Sequence, residues 1–255
     1  MAKAEETMDV CLLAGHLLLK YGAETYRVED TMKRMAQASH MKKVNSFVTT
    51  TGIFLSFQTE DGSDLMQMIR IVERFQDLSK VTSVNQISRE FVIGDISLEE
   101  ANLQLLDVEN APMNYPLWLI YLASGIGGAA FSFLMGGNLF DMLPAFIGGV
   151  ITTLSLVFFQ HFLKAKFFSE FMAAFIGGGT AFFLVGIGFG SNIDQIIIGS
   201  LIPLVPGIPL TNSVRDLMSG DLVAGVARGS EAALTSLSIA SGIALSVTIF
   251  LGIIG

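Results

Sequence analysis

The chain changes its pattern of apolar and polar positions about halfway along its 255 residues. In the first half, apolar residues recur at helical or strand spacing among many charged ones, whereas the second half consists of long apolar runs. Runs of about 20 apolar residues cross the ~30 Å hydrocarbon core of a bilayer as α-helices, at ~1.5 Å per residue. The pattern therefore predicts a soluble N-terminal domain followed by a membrane domain.

The N-terminal pattern predicts a small α+β domain over residues 1–112. Apolar residues at helical spacing predict two amphipathic helices, the second over residues 25–38. Three stretches rich in β-branched and aromatic residues predict antiparallel strands, at residues 44–50, 53–59 and 65–73. Two further helices are predicted, a short one over residues 85–91 and one that begins at the capping-box residue Ser97.

The membrane domain is predicted over residues 116–255, and about five spans fit this length. The predicted spans are residues 117–135, 143–163, 167–189, 193–209 and 232–254. The fourth is short and is interrupted by prolines, so it is either a broken span or a re-entrant segment. The predicted fold class is thus a membrane α-helical bundle preceded by a small cytoplasmic α+β domain.

The placement of Lys and Arg predicts the orientation of the spans. Residues 1–115 hold 11 of the 15 Lys and Arg residues, and the loops after the second and fourth spans hold the others. Loops that are rich in Lys and Arg face the cytoplasm. Five spans therefore predict a multi-pass protein of the plasma membrane, with a cytoplasmic N-terminus and an exterior C-terminus.

Charge and motif content argue against several classes of function. The net charge is −8, and nucleic-acid binding requires a basic face, so no nucleic-acid partner is expected. The sequence has no motif for nucleotide binding, for serine hydrolysis or for a zinc peptidase. Its three histidines and its single cysteine, Cys11, are scattered along the chain. We therefore expect no enzyme, no cofactor and no metal site.

The candidate site is the proline-interrupted segment over residues 203–221. In transporters, a short span broken by Pro or Gly is a pointer to the binding site. Thr211 or Asn212 is expected to cap a new helix, whose free N–H groups would bind a carboxylate together with Arg215. Asp216 would hold Arg215 or carry a proton. The alternative is an ordinary cytoplasmic loop helix with an exposed Arg and Asp.

Two further carboxylates lie near the starts of predicted spans, Glu170 in the third and Glu231 in the last. An ionisable group within the membrane is a functional candidate, so both are predicted proton-coupling groups. The alternative is that both lie at the level of the lipid headgroups.

Two motifs resemble signatures of the threonine/serine exporter family. The early one is Gly22-Ala-Glu-Thr-Tyr-Arg-Val-Glu-Asp30. The late one is Pro206-Gly-Ile-Pro-Leu-Thr-Asn-Ser-Val-Arg-Asp216, followed by Gly220-Asp221 and by Gly225-x-x-Arg228-Gly229. By motif match, the resemblance marks Asn212, Arg215, Asp216 and Asp221 as site residues. We expect Asn212, Arg215, Asp216 and Gly207 to bind the substrate, and Asp216 and Asp221 to be candidates for proton coupling.

The resemblance also implies a partner. Full-length members of the family carry about twice as many spans, so the chain resembles the split type, whose partner is a smaller multi-span membrane protein. Members export threonine and serine, and a split branch is implicated in dicarboxylate (succinate) export. We therefore expect a subunit of a secondary-active exporter of small carboxylates, with threonine and serine first and dicarboxylates as the alternative; self-association is also considered. The rival interpretation is a membrane-anchored regulatory or scaffold protein whose cytoplasmic domain does the work.

Overall fold

The computed structural model describes residues 2–112 and 115–254, which fold as two compact units. The first unit combines the residues up to Pro112 with Leu210–Gly229. The second combines residues 115–209 with those from Ser230 onward. Helices that belong to the apolar half of the sequence therefore contribute residues to the N-terminal unit. The sequence pattern did not suggest this grouping.

The N-terminal unit is α+β, as predicted. Its elements before the membrane half are α1 (Ala2–Lys20), α2 (Thr25–Ala38), β1 (Lys42–Thr49), β2 (Gly52–Gln58), β3 (Asp64–Arg70), α3 (Leu78–Ile93) and α4 (Leu98–Asn110). The strands form an antiparallel sheet in the order β1-β2-β3. Alternate residues of β2 are buried, namely Ile53, Leu55 and Phe57, and they pack into a core with the apolar faces of α1 and α2.

Helix α3 is longer than predicted because its N-cap lies further upstream. Asp77 accepts hydrogen bonds from the backbone N–H groups of Ser79 and Lys80, at 3.1 and 3.2 Å. Such a side chain satisfies donors that the first turn of a helix leaves free, so the helix begins at Leu78 rather than at residue 85. It ends as predicted near Gly94, whose φ of 86° is left-handed.

The second unit is built from apolar helices. The helices of the membrane half are α5 (Leu117–Leu134), α6 (Leu139–Leu163), α7 (Lys166–Gly186), α8 (Ile193–Leu201), α9 (Gly207–Ser219) and α10 (Leu222–Ile254), with a 3₁₀ turn (Ile202–Leu204) after α8. Four helices in the described part of the chain are long and apolar enough to cross a membrane. A fifth span results if Ile193–Leu204 and Gly207–Ser219, which are bent by 62°, count as one. The predicted fold class is confirmed.

The span boundaries differ from the prediction most clearly at the starts of α10 and α6 and at the end of α7. Helix α6 begins at Leu139 rather than at residue 143. Helix α10 begins at Leu222 rather than at residue 232, so the last apolar run is the continuation of a longer helix. Helix α7 ends at Gly186 rather than at residue 189. The glycines that follow it explain the earlier end, because Gly188 and Gly190 have φ values of 81° and 133°, which a helix cannot contain.

Glycine lets the helices of the membrane unit approach each other closely. A Cβ atom on Gly128 of α5 would lie 2.8 Å from the carbonyl oxygen of Ala145 in α6 and 2.9 Å from that of Gly199 in α8. Only a residue without a side chain fits between these backbones. The glycines near the middle of α5 and α6 thus serve helix packing.

Candidate functional site

The two signature motifs meet in the N-terminal unit. The amide of Asn212 on α9 donates to the carbonyl oxygen of Gly22 at 3.0 Å, and the guanidinium of Arg228 on α10 donates to that of Ala23 at 2.9 Å. Gly22 has a φ of 96°, so the short connection between α1 and α2 turns through a left-handed residue. This turn presents the two carbonyl groups to the side chains of residues 212–228.

Asp216 is the centre of this arrangement and is fully buried. One of its carboxylate oxygens accepts the backbone N–H of Thr25 at 3.2 Å. The other accepts the hydroxyl of Thr25 at 3.2 Å and lies 3.2 Å from Nε of Arg228. Thr25 is the first residue of α2, so its N–H is one of the donors that a helix leaves unpaired, and a negative charge there is favourable.

Glu24, the N-cap of α2, carries the second carboxylate of the site. Arg215 donates to one of its oxygens, and Nε of Arg27 lies 3.3 Å from the other. Burial alone would raise the pKa of Glu24, but its backbone hydrogen bond, the hydrogen bond from Arg215 and the charge of Arg27 together lower that pKa below its ordinary value. Glu24 is therefore ionised at neutral pH. We call the contacts of residues 22–25 and Arg27 with Asn212, Arg215, Asp216 and Arg228 the carboxylate–arginine network.

Two acidic side chains lie beside this network. Burial raises the pKa of Asp221, and the nearby charge of Asp216 raises it further. Burial also raises the pKa of Glu29, although Glu29 accepts the backbone N–H of Val48 at 2.8 Å, and the charge of Asp221 adds to the rise. Both groups are thus easier to protonate than ordinary carboxyl groups.

The remaining predicted site residues lie elsewhere. Thr211 or Asn212 was expected to be the N-cap of α9. That prediction is wrong, because α9 begins at Gly207 and both residues lie in its second turn. The second unit contains Glu170, which accepts the hydroxyl of Thr235 at 3.2 Å, and Glu231, which binds Lys166 at 2.6 Å.

Sequence reasoning did not identify Glu24 and Thr25 as partners of the late motif, nor Arg228 as the partner of Asp216. The early motif had been noticed as a signature, and Arg228 was part of the late one. The signal that was available is chemical: each motif contains carboxylate and guanidinium groups that a fold has to pair when it buries them.

Within the described part of the chain, no group of three or more His, Cys, Asp or Glu side chains could hold a metal ion. Cys11 is buried, and burial raises the pKa of its thiol to about 12. It is therefore an unreactive core residue.

The fold and the site define a multi-pass membrane protein. In its N-terminal unit, arginines and carboxylates from segments far apart in the sequence are paired. Residues 9–250 match the family described as "Putative threonine/serine exporter", so the chain belongs to the ThrE threonine/serine exporter family, which is a family of transporters and not of enzymes.

Similar proteins of two kinds are known. The chain is 28% identical over 254 residues to the "Probable succinate transporter subunit YjjP" of Escherichia coli (strain K12) and 26% identical over 247 residues to that of Klebsiella aerogenes, covering 94% of this chain and 93% of each relative. It is 24% identical over 250 residues to the "Threonine/serine exporter" of Corynebacterium glutamicum, covering 94% of this chain but 50% of that relative. No solved structure matches the chain significantly.

Proposed function

We propose that the chain is one subunit of a secondary-active exporter of small dicarboxylates, with succinate as the first candidate. The observation that carries this proposal is the end-to-end similarity to the two succinate transporter subunits, which have nearly the same length. The threonine/serine exporter of C. glutamicum is about twice as long as the region it shares with this chain. The order of substrates expected from the sequence is therefore reversed in this proposal.

The carboxylate–arginine network supports the choice of a carboxylate substrate. Arg215 already holds a carboxylate, that of Glu24, while 52% of its side-chain surface remains exposed. A planar guanidinium binds carboxylates through paired hydrogen bonds, so a substrate carboxylate can take the place of Glu24. In this proposal Arg215 contacts the substrate. Asn212 and Asp216 fix α9 against residues 22–25, and Gly207 begins the same helix.

The proposal includes a partner protein. The name of the YjjP relatives contains the word "subunit", and the chain matches about half of the longer exporter. A smaller multi-span membrane protein would supply the second half.

Chain connectivity supports an orientation. Residues 22–25 and 212–228 are hydrogen-bonded within one unit, which must lie on one side of the membrane. An even number of crossings therefore separates them. Helices α5, α6 and α7 provide three, so we propose that the bent segment over residues 193–209 provides the fourth. Its residues Ile196 and Leu201 are buried, and interrupted backbone at membrane depth is tolerated where it is buried in protein. We therefore propose an exterior C-terminus, because α10 adds a fifth crossing and loops rich in Lys and Arg face the cytoplasm.

Cysteine accessibility tests this orientation. Because Cys11 is the only cysteine and is buried, a cysteine placed at Gly252 is the single reactive thiol of the variant. We expect a membrane-impermeant maleimide to label it in intact cells. The matched variant Gly62→Cys, in the β2–β3 turn, should be labelled only after the cells are opened. Labelling of the Gly62 variant in intact cells would contradict the orientation.

Substrate efflux tests the function. The chain is expressed with and without a candidate partner in a host that lacks its own succinate exporters, and the release of preloaded radiolabelled succinate is measured. We expect release only with both proteins. Release of threonine and serine instead would favour the second candidate function, which rests on the family description and on the similarity to the longer exporter. No release of either class would refute the proposed function.

A further inference from the structure

Glu170 is a buried carboxyl group that has only part of the hydrogen bonding a carboxylate needs. It lies one turn into α7 and is 6% exposed. One of its oxygens accepts the hydroxyl of Thr235 on α10 at 3.2 Å. The other, Oε2, has no hydrogen-bond partner among the residues that the structure describes.

This environment is unfavourable for a negative charge. An ionised carboxylate that leaves water requires several hydrogen bonds or an opposite charge, and one hydroxyl group supplies neither in full. A neutral carboxylic acid has a smaller desolvation cost, and its O–H can rotate towards whatever acceptor or water enters the site. The geometry therefore suits a group that is protonated for at least part of a transport cycle.

The charged neighbours of Glu170 do not compensate such a charge. Those that face it are Lys166 on its own helix and Glu231 on α10. The ammonium group of Lys166 binds Glu231 at 2.6 Å, so these two groups largely neutralise each other. On the other helices of the unit, Asp141 accepts hydrogen bonds from Ser191 and Asn192, and Asp194 is exposed in the first turn of α8.

The face of α7 that carries Glu170 continues into a region with another unsatisfied hydroxyl. Seven residues further along, on the same face, is Gly177, which packs against Thr152 of α6. The hydroxyl oxygen of Thr152 is buried and has no hydrogen-bond partner among the described residues. Oε2 of Glu170 and the hydroxyl of Thr152 are thus two buried polar groups without a described hydrogen-bond partner, about 10 Å apart along α7 at ~1.5 Å per residue.

We infer that Glu170 is the proton-binding group through which the exporter is driven by a proton gradient, an inference that rests on the proposed function. The O–H bond of its carboxyl group forms when a proton arrives from the exterior side and breaks when that proton passes to water on the cytoplasmic side. One proton moves inward for each such cycle, and no redox partner is required. We choose Glu170 among the four predicted coupling groups for two reasons. Asp216 and Glu231 are held in ion pairs, and Asp221 lies in the N-terminal unit.

The first test separates exchange from net transport. The chain and its partner are reconstituted in vesicles, and succinate counterflow and proton-driven succinate transport are measured for the wild type and for Glu170→Gln. Glutamine keeps the shape but binds no proton. We expect unchanged counterflow and a loss of gradient-driven transport of roughly a hundredfold, the scale on which removal of a proton-transfer group acts. Asp194→Asn, which removes an exposed acid from the same unit, is the control and should keep both activities.

Two outcomes would overturn the inference: net transport by Glu170→Gln with the pH dependence of the wild type, or loss of both counterflow and net transport at normal abundance. The second would make Glu170 a structural or substrate-contacting residue. A wild type without any succinate counterflow would instead refute the proposed function.

The second test does not depend on transport. Infrared difference spectra of the purified wild type and of Glu170→Gln are compared over a range of pH. We expect a protonated-carboxyl C=O band that is present in the wild type at neutral pH, is absent from the variant and is shifted in Thr235→Val, which lacks the hydroxyl donor. Absence of this band from the wild type at neutral and mildly acidic pH would overturn the inference even if transport is observed.

Discussion

Two buried carboxylates, Asp216 in the N-terminal unit and Glu170 in the membrane unit, have opposite hydrogen-bonding environments. In the N-terminal unit, Asp216 is fully buried and has three partners, which are the N–H and hydroxyl of Thr25 and the guanidinium of Arg228. In the membrane unit, Glu170 is nearly as deeply buried but has a single hydroxyl donor and an unpartnered oxygen. A carboxylate whose oxygens are fully hydrogen-bonded stabilises the fold. One with an unpartnered oxygen can change its protonation state or its partner at a lower cost in free energy.

This contrast separates two roles that the sequence alone had merged. Both carboxylates were candidates for proton coupling, Asp216 because it lies in the proline-interrupted segment and Glu170 because it lies near the start of a predicted span. Their partners now distinguish them. The carboxylate–arginine network can stabilise the fold, contact the substrate or titrate, and variants of its residues distinguish these roles.

The largest expected effect follows from breaking the buried ion pair. Arg228→Met removes the guanidinium and leaves the carboxylate of Asp216 buried without its opposite charge. Removal of one partner of a buried ion pair typically costs about 3–5 kcal/mol. We therefore expect a strong fall in thermal stability in detergent and in abundance in the membrane.

An exposed pair on the same unit provides the matched control. Arg34 and Asp30 on α2 are 2.8 Å apart, but their side chains are 64% and 55% exposed. Exposed pairs contribute about 0–1 kcal/mol, so Arg34→Met should be nearly neutral. The double variant Asp216→Asn/Arg228→Met should be more stable than Arg228→Met alone, since it buries no uncompensated charge. Equal effects of Arg34→Met and Arg228→Met would show that burial of the network has been misjudged.

The sequence predicted the helices and strands that carry this network, but it did not predict which segments contact each other. Helix periodicity, strand composition and the Ser97 capping box are local signals, and the α+β unit and the apolar helices follow from them. The hydrogen bonds between residues 22–25 and 212–228 join segments about 190 positions apart, as in the contact of Thr25 with Asp216. No periodicity records such a pairing, because it depends on how the intervening helices bring α9 back to α2.

A second part of the site escaped prediction for a different reason. The proline break was expected to free a helix N-terminus at Thr211 or Asn212, but the helix starts at Gly207. Proline is well tolerated in the first turn of a helix, where its missing N–H is not needed, so Pro209 lies within α9 rather than before it. Asn212 consequently uses its side chain to bind Gly22 instead of capping its own helix.

A smaller effect is expected from changing the exposed arginine of the network. Arg215→Lys keeps the charge but loses the planar fork, and Arg215→Ala loses both. If Arg215 contacts the substrate carboxylate, the lost charge-assisted hydrogen bond costs about 1.5–3 kcal/mol, which is roughly ten- to hundredfold in apparent succinate affinity. Efflux at varied internal succinate measures it, with membrane abundance determined in parallel and Arg70→Lys as the control. Normal export by both Arg215 variants at normal abundance would refute the substrate-contact role.

Glu24 allows that role to be distinguished from a purely structural one. Glu24→Gln removes the charge that now occupies Arg215. A substrate carboxylate would then meet less competition, so we expect tighter apparent succinate binding in this variant. A structural role of the Arg215–Glu24 pair predicts a different result. Glu24→Gln and Arg215→Ala would then lower thermal stability to a similar degree, and the succinate affinity of the folded protein would be unchanged.

The smallest expected effect is on the pH dependence of stability, and it sharpens the contrast within the N-terminal unit itself. The pKa values of Glu29 and Asp221 are raised by burial, and the neighbouring carboxylates raise them further. A folded state with raised carboxyl pKa values takes up protons before the unfolded state does, so it gains stability as the pH falls through those raised values. The gain is complete once the pH has fallen below the ordinary values of 4.5 for Glu and 3.8 for Asp.

Glu24 acts in the opposite direction, since its pKa is lowered below 4.5 and its stabilising contribution is lost only as the pH falls through that lowered value. Mild acidification from neutral pH should therefore first raise the thermal stability of the protein in detergent, and stronger acidification should then reduce it. Glu29→Gln and Asp221→Asn remove the titrating groups, so each should flatten the initial rise, whereas Arg34→Met should leave it in place. An unaltered rise in the double variant Glu29→Gln/Asp221→Asn would assign the effect to other carboxyl groups. A steady fall from neutral pH in the wild type would mean that groups with a lowered pKa, such as Glu24, dominate the pH dependence of this unit.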